Sequence, residues 1–418
     1  MADIRSKSIV LTAGLVVGNL IGAGILALPV SLGLSGMVPA LLLLAVYGTL
    51  MFYSAEILTR EAIERKSSTF DFPSLYKRYL GDWGKWVAIL TNGIILYGLL
   101  VAYISGASQI LADLFGNPFP VIWFALGAAI LFSLLAIADL SVINRYNAVL
   151  IGVLLAVFVL LLLLCLPHLE TGRLGISHWE YAPLAIPLAV TACHFHNIIP
   201  VLCKNLQWDI RAMRKAILLG MLLALVMNIL WTMCGIGTLP RHGDNSLVLA
   251  YLRNLPATVP MGNILGSKLF TALAAVFSIT AIVTSFIANG LGLMSFTRDL
   301  LSHSRFRKAV QNGVIIKCVT FLPPAVIALL RPGIFIKALD VVGGIGIVTL
   351  FGILPALIAL RHREYSAKMR LGGWIFLLLS IFALGAAIVS IAGVRPDTFR
   401  ECCEAHSAEV YDMKELKK

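Results

Sequence analysis

Two histidines, His194 and His196, stand in the apolar run TACHFHNIIP from Thr191 to Pro200, and Thr284 and Ser285 stand side by side in another. An imidazole can carry a proton near neutral pH, since its unperturbed pKa is about 6.5. Paired hydroxyls can supply oxygen ligands to a hard cation such as sodium. A third stretch, IGAGILALP from Ile21 to Pro29, brings Gly22, Ala23 and Gly24 together with a proline five residues on. Its offering is bare backbone. Each feature also has a plainer reading: neutral histidines bonded between helices, hydroxyls bonded back to the preceding turn, and small residues that let helices pack closely.

The elements that must hold these residues are membrane spans. With 59% hydrophobic and 13% charged residues and a mean hydropathy of +0.91, the 418-residue chain has more apolar surface than a soluble core can use. Eleven segments are long enough to cross a bilayer, at about 20 helical residues each: roughly 9–32, 38–58, 86–112, 121–139, 147–166, 182–203, 215–238, 268–296, 314–330, 338–360 and 373–394. The expectation is an all-α integral membrane protein with a single transmembrane domain over 1–398 and a polar tail over 399–418. No gap between spans leaves room for a catalytic domain.

Charge sets the topology. A cytoplasmic N-terminus places 22 of the 33 basic residues on the cytoplasmic side, and the odd span count puts the C-terminus outside. The net charge of +12 is thereby accounted for by loop charge beside anionic lipid, without a nucleic-acid partner. The first apolar run is too long for a cleaved signal and is expected to be retained. Five of the seven cysteines lie in or beside spans without metal-ligand spacing, and Cys402 and Cys403 are adjacent in the tail.

Unsatisfied backbone survives at membrane depth only where it lines a cavity or meets a ligand. Gly22, Gly24 and Pro29 predict an unwound stretch near Ile21 to Ile25, and Pro200 predicts a second break near His194 and His196. The first and sixth spans are five apart and so run in opposite directions. That geometry fits a five-plus-five inverted repeat, about 9–166 and 182–360, with one extra helix at 373–394. Glu56, Asp113, Asp139 and Asp340 all fall close to span ends. A charged ligand at the midplane must therefore be met by helix dipoles, amides for a carboxylate and carbonyls for an ammonium. A free α-amino acid carries both groups.

A secondary transporter accounts for these features together. A channel needs a continuous polar lining, whereas the spans carry isolated polar residues. An enzyme needs a nucleophile and a base, or metal ligands, at one depth, and the two histidines have no carboxylate near them in sequence. A nutrient sensor of the same fold is separated from a transporter only by flux.

GNLIGAGILALP (18–29), YGLLVAYISG (97–106), FHNIIP (195–200) and TSFIANGLGLMSFTRD (284–299) resemble the bacterial hydroxy and aromatic amino acid permeases, the tryptophan and tyrosine permeases. The resemblance covers nearly the whole chain. It implies a leucine-transporter-like fold with broken first and sixth helices, and import of an aromatic amino acid across the inner membrane by ion-coupled alternating access. Tyrosine comes first, then tryptophan or phenylalanine, and protons usually drive the process without a cofactor. Carried over by motif, Gly22, Ala23 and Gly24 bind the carboxylate through backbone amides. Cys193, Phe195 and His196 line the facing side, and carbonyls of the sixth helix take the ammonium. Tyr103 supplies a third-span hydroxyl; Tyr97, about 600° around the helix, is the second choice.

Three positions depart from the pattern: Asn19, counted among the substrate-binding residues, replaces a common Thr, His194 a small residue, and Asp340 a Gly; each can retune substrate size or polarity, which leaves another neutral amino acid open. The fifth span has no lysine to act as a resident cation. His196, and after it His194, are then the expected proton carriers. Thr284 and Ser285 resemble the sodium site of sodium-coupled members of this fold, and no other metal is expected. Asp340 is a possible external gate with a basic partner. Asn228, Trp231 and Asn289 read as interhelical packing residues, and Glu56 as a partner of Arg60 one turn on.

Overall fold

The computed structural model describes residues 2–65, 72–137, 140–302, 313–362 and 365–392. Asp139, the 399–418 tail with Cys402 and Cys403, and the side chain of Ala23 lie outside the described residues. The first span is the bent pair α1 (Ala2–Leu20) and α2 (Ala23–Gly33). The second to fifth spans are α3 (Met37–Arg65), α4 (Phe72–Leu114), α5 (Val121–Ile137) and α6 (Leu140–Cys165). A connection with the single turn α7 (Thr171–Leu174) leads to the sixth span, made of α8 (Ala182–Ala192), a 3-10 turn (His196–Ile198) and α9 (Ile199–Asn205). The seventh is α10 (Ile210–Thr238), followed by the short helices α11 (Leu247–Leu252) and α12 (Thr258–Leu265). The eighth and ninth are α13 (Lys268–Ser302) and α14 (Gly313–Leu330). In the tenth, α15 (Phe335–Val341) passes into a π-helix (Val342–Ile353) and then α16 (Leu354–Arg361), and α17 (Ala367–Ile391) is last.

Every expected segment contains an apolar helix. Among the described residues eight helices are long and apolar enough to cross a membrane, nine with the bent α1–α2 pair, and Val121–Ile137 and Gly152–His168 are shorter apolar helices. Local chemistry sets several starts. The Asp209 carboxylate accepts from the amides of Arg211 and Ala212 and opens α10, and the Ser366 hydroxyl accepts from the Met369 amide and opens α17.

The apolar segments of the sixth and tenth spans are each 72% buried, against 28% for the ninth and 22% for α17. The centre of the bundle is therefore the sixth and tenth spans, with the ninth and eleventh at its rim. The rim presents Leu322, Leu330, Leu378 and Phe382 outward, as a lipid-facing surface does. At the centre the π-helix lies against α8, α4 and α17. A Cβ on Gly343 would come within 2.0 Å of the Pro187 carbonyl oxygen, so the approach of the tenth span to α8 needs a residue without a side chain.

Three expectations change in detail. The first break is confined to Ile21 and Gly22 and does not extend to Ile25; the Ile25 amide bonds the Gly22 carbonyl at 3.3 Å and α2 continues through Pro29. Losing one bond at the proline does not unwind a helix otherwise held by its neighbours. Pro200 stands in the first turn of α9, where a missing N–H costs nothing. The third helix starts at Phe72, in a stretch expected to be loop, and kinks at Gly81 (φ 74°). Tyr76 of that extension is fully buried and donates to the Leu350 carbonyl at 2.6 Å.

Candidate functional site

The two helix breaks meet. A Cβ on Gly24, in the first turn of α2, would lie 3.7 Å from Cα of Ala192, the last residue of α8. A helix start leaves amides, and a helix end carbonyls, without helical partners; the start of α2 thus lies beside the end carbonyls of α8, of which Val190 O and Thr191 O accept from the amides of Cys193 and His194 at 3.1 and 3.2 Å. The Asn228 amide donates to the Ala192 carbonyl at 3.5 Å. Thr191 Oγ1 donates to Pro187 O at 2.9 Å and lies 3.3 Å from Leu339 O of the tenth span. These bonds hold the end of α8 in position.

The other side of the first break faces α13. A Cβ on Gly22 would sit 2.7 Å from Ser285 Oγ. Asn19, Ile21, Ile198, Thr284 and Ser285 line a cavity of about 160 Å³ there. Thr284 Oγ1 bonds back to the Thr280 and Ala281 carbonyls at 2.9 and 3.2 Å, which leaves Ser285 as the hydroxyl turned toward the break.

A chain of polar side chains joins three spans beside Ser285. The Asn289 amide donates to the Tyr103 hydroxyl at 3.2 Å and to the Ser285 carbonyl at 2.9 Å, and Asn197 donates to Asn289 Oδ1 at 3.4 Å. Tyr103 lies 6.4 Å from the Phe286 ring, which also packs on Phe132 and Phe321. Sequence reasoning gave Asn289 a packing role and passed over Asn197. Its available signal was an amide next to a helix break.

The histidines face elsewhere. His196 Nε2 lies 3.1 Å from the Met51 carbonyl of α3, and its ring stacks on Phe351 of the π-helix at 4.8 Å. His194 packs on Phe351 and on His196. Among the described residues His194 Nε2 and His196 Nδ1 are buried without a partner, and His196 and Phe195 are completely enclosed. Cys193 lines a third place, an apolar cavity of about 340 Å³ with Leu20, Gly48, Phe52 and Asn228. The structure thus sets Gly24 against the end of α8 and Gly22 against Ser285, beside the Tyr103–Asn289 pair, with Asn19 in the cavity at Ser285, and packs His194 and His196 on Phe351 of the tenth span.

Two further positions differ from expectation. The Tyr97 hydroxyl donates to Val319 O at 2.8 Å and faces the ninth span. Asp340 is 4% exposed and pairs with no basic residue among the described residues, so the expected gate pairing is not formed. It lines a cavity of about 530 Å³ with Lys337, Tyr97 and Asn254. On the face that carries Arg60, buried Glu61 accepts hydrogen bonds from Tyr79 and Tyr365. Glu56 bonds Arg60, as expected, and also Arg214.

A bundle with facing breaks in its first and sixth helices is the architecture of a transporter with the leucine-transporter-like fold. The chain belongs to the Tryptophan/tyrosine permease family, whose sequence profile matches residues 5–392. It is 32% identical over 388 residues to the Tyrosine-specific transport system 1 of Haemophilus influenzae, covering 90% of this chain and 94% of that one. It is 27% identical to the Tryptophan-specific transport protein of Shigella flexneri, covering 90% and 92%. The fold resembles that of an Eremococcus coleocola manganese transporter solved with an aromatic bis-isothiourea compound, at a TM-score of 0.59 and 14% identity over 98% of this chain and 94% of that one. The protein is a permease of the bacterial membrane, and not an enzyme.

Proposed function

We propose that this permease imports an aromatic amino acid, tyrosine first and then tryptophan or phenylalanine, by proton-driven alternating access across the inner membrane. The observation that carries the reading is the meeting of α2 and α8 at Gly24 and Ala192. Amides of Gly22, Ala23 and Gly24 take the substrate carboxylate, and the end carbonyls of α8 take its ammonium. The Tyr103, Asn289 and Asn197 chain borders the same centre and offers hydroxyl and amide groups to a phenolic or indole side chain. The printed names of the relatives support tyrosine and tryptophan. The repeats are 9–166 and 182–360, with 373–394 as the added helix in one domain, and the N-terminus is cytoplasmic with the C-terminus external.

A sodium-coupled variant has one observation in its favour, the Ser285 hydroxyl turned to the unwound first helix. Uptake of labelled tyrosine, tryptophan and phenylalanine into proteoliposomes, under a proton gradient and separately a sodium gradient, tests both. Uphill uptake with protons alone supports the proton reading. Dependence on sodium replaces it, and no uptake of any of the three removes aromatic import.

A further inference from the structure

We propose that Asp340 is a proton-binding residue of this permease, loaded through the cavity it lines and linked to the substrate site through Leu339 and Thr191. The inference rests on the transport reading and names the residue whose charge the driving ion changes.

Asp340 combines three features. It is 4% exposed, and its Oδ1 has no hydrogen-bond partner among the described residues. It lines the cavity of about 530 Å³ that Tyr97, Tyr251, Asn254, Lys337 and Ser390 also border. Its neighbour Leu339 offers the carbonyl that faces Thr191 Oγ1 at 3.3 Å, one residue from the end of α8. An unpaired carboxylate in such a place is costly unless water fills the cavity or a proton neutralises it. The charged form therefore holds the cavity open. Protonation forms one O–H bond on the carboxylate as one O–H bond of a hydronium ion in the cavity breaks and leaves a water molecule, and the neutral acid lets α15 close against its neighbours.

The surroundings favour a proton over a metal cation. A hard cation is held by several oxygens at once, and Asn254 Oδ1 is already engaged by the Lys337 amide at 3.1 Å. The charged and titratable groups bordering the cavity are Lys337 from the same helix, Tyr97 from α4 and Tyr251 from α11. α2, α8, the π-helix and the adjoining half of α17 contain none. Lys337 is exposed and makes no ion pair with Asp340. The histidines, by contrast, line none of the described cavities.

The test uses the purified full chain in proteoliposomes with labelled tyrosine. In the wild type, exchange slows as pH rises, and an inward gradient of one pH unit supports an accumulation ratio of up to about tenfold for one proton per substrate. Asp340→Asn mimics the neutral acid. Its exchange should lose the pH dependence, and its accumulation ratio should fall to about one, while Asp340→Glu keeps both. An Asn variant that accumulates substrate and follows the wild-type pH profile overturns the proposal. A second measurement applies to the wild type alone: a hydrophobic carbodiimide, which attacks protonated carboxyls in apolar surroundings, should label Asp340 increasingly as pH falls, read by peptide mass spectrometry. Absence of that label at every pH where the protein stays folded overturns the proposal even if the variants fail to fold. Lack of wild-type transport under any gradient counts against aromatic import, and the label still reports on Asp340.

Discussion

Ser285 Oγ stands in the space that a side chain on Gly22 would need, 2.7 Å from a Cβ built there. The contact ties the break in the first helix to the eighth span and makes the two positions interdependent.

Gly22→Leu should abolish substrate binding and leave folded protein, and Gly22→Ala should cost about 1–3 kcal/mol through overpacking against Ser285. Removing the opposing group in Gly22→Ala with Ser285→Gly should recover part of that loss. Substrate-induced thermal shift in detergent, read beside uptake, checks both. Normal uptake by the leucine variant would remove the first break from the site.

Asn289→Leu strips the Tyr103 hydroxyl and Asn197 of their shared partner. We expect weaker substrate binding and a stability loss of about 1–3 kcal/mol, since buried polar groups are left unmatched. Tyr103→Phe, which keeps the ring, should lose about 0.5–1.5 kcal/mol. Competition binding with tyrosine and phenylalanine measures how much of the loss tracks the substrate hydroxyl.

His196→Gln should leave the shape of the pH profile of uptake unaltered. The imidazole is fully buried between Met51 and Phe351. His196→Leu, which leaves the Met51 carbonyl without its partner, should lower the unfolding temperature, for a cost of about 1–3 kcal/mol. A flattened pH profile in the glutamine variant would return the proton to this histidine.

Glu61 is 1% exposed and depends on hydroxyl donors from Tyr79 and Tyr365. The double change Tyr79→Phe with Tyr365→Phe should destabilise the fold by roughly 3 kcal/mol, because the buried carboxyl group loses both hydroxyl donors and keeps the His362 ring, whose Nε2 lies 3.8 Å from Glu61 Oε1. Thermal unfolding in detergent gives the answer, and a loss no larger than that of the weaker single variant would show that other groups solvate Glu61.

The helix breaks were legible because glycines and prolines inside a long apolar run contradict the needs of an uninterrupted span. The direction in which His194 and His196 point was not. Residues 193–198 leave the regular 100° step of an α-helix, so a face counted along the sequence loses its meaning there. Asn197 and Asn289 are 92 residues apart, and nothing local in either marks the other as its partner. Tyr103 was favoured over Tyr97 by motif, and the structure turns the two apart, toward Asn289 and Val319. Asp340 stays near the start of the tenth span, where hydropathy places it, but hydropathy does not register that its side chain is buried beside a cavity.

The π-helix from Val342 to Ile353 begins two residues after Asp340 and carries, in its last turn, Phe351, the ring against which both histidines rest. Its hydrogen bonds close over five residues and not four, so it holds surplus chain that an α-helix of the same length would not need. Passing that surplus along the span, one residue at a time, would rotate one end of the tenth helix against the other without lengthening it. The tenth span therefore carries its loosest winding where it packs against α8 and bears the ring of Phe351.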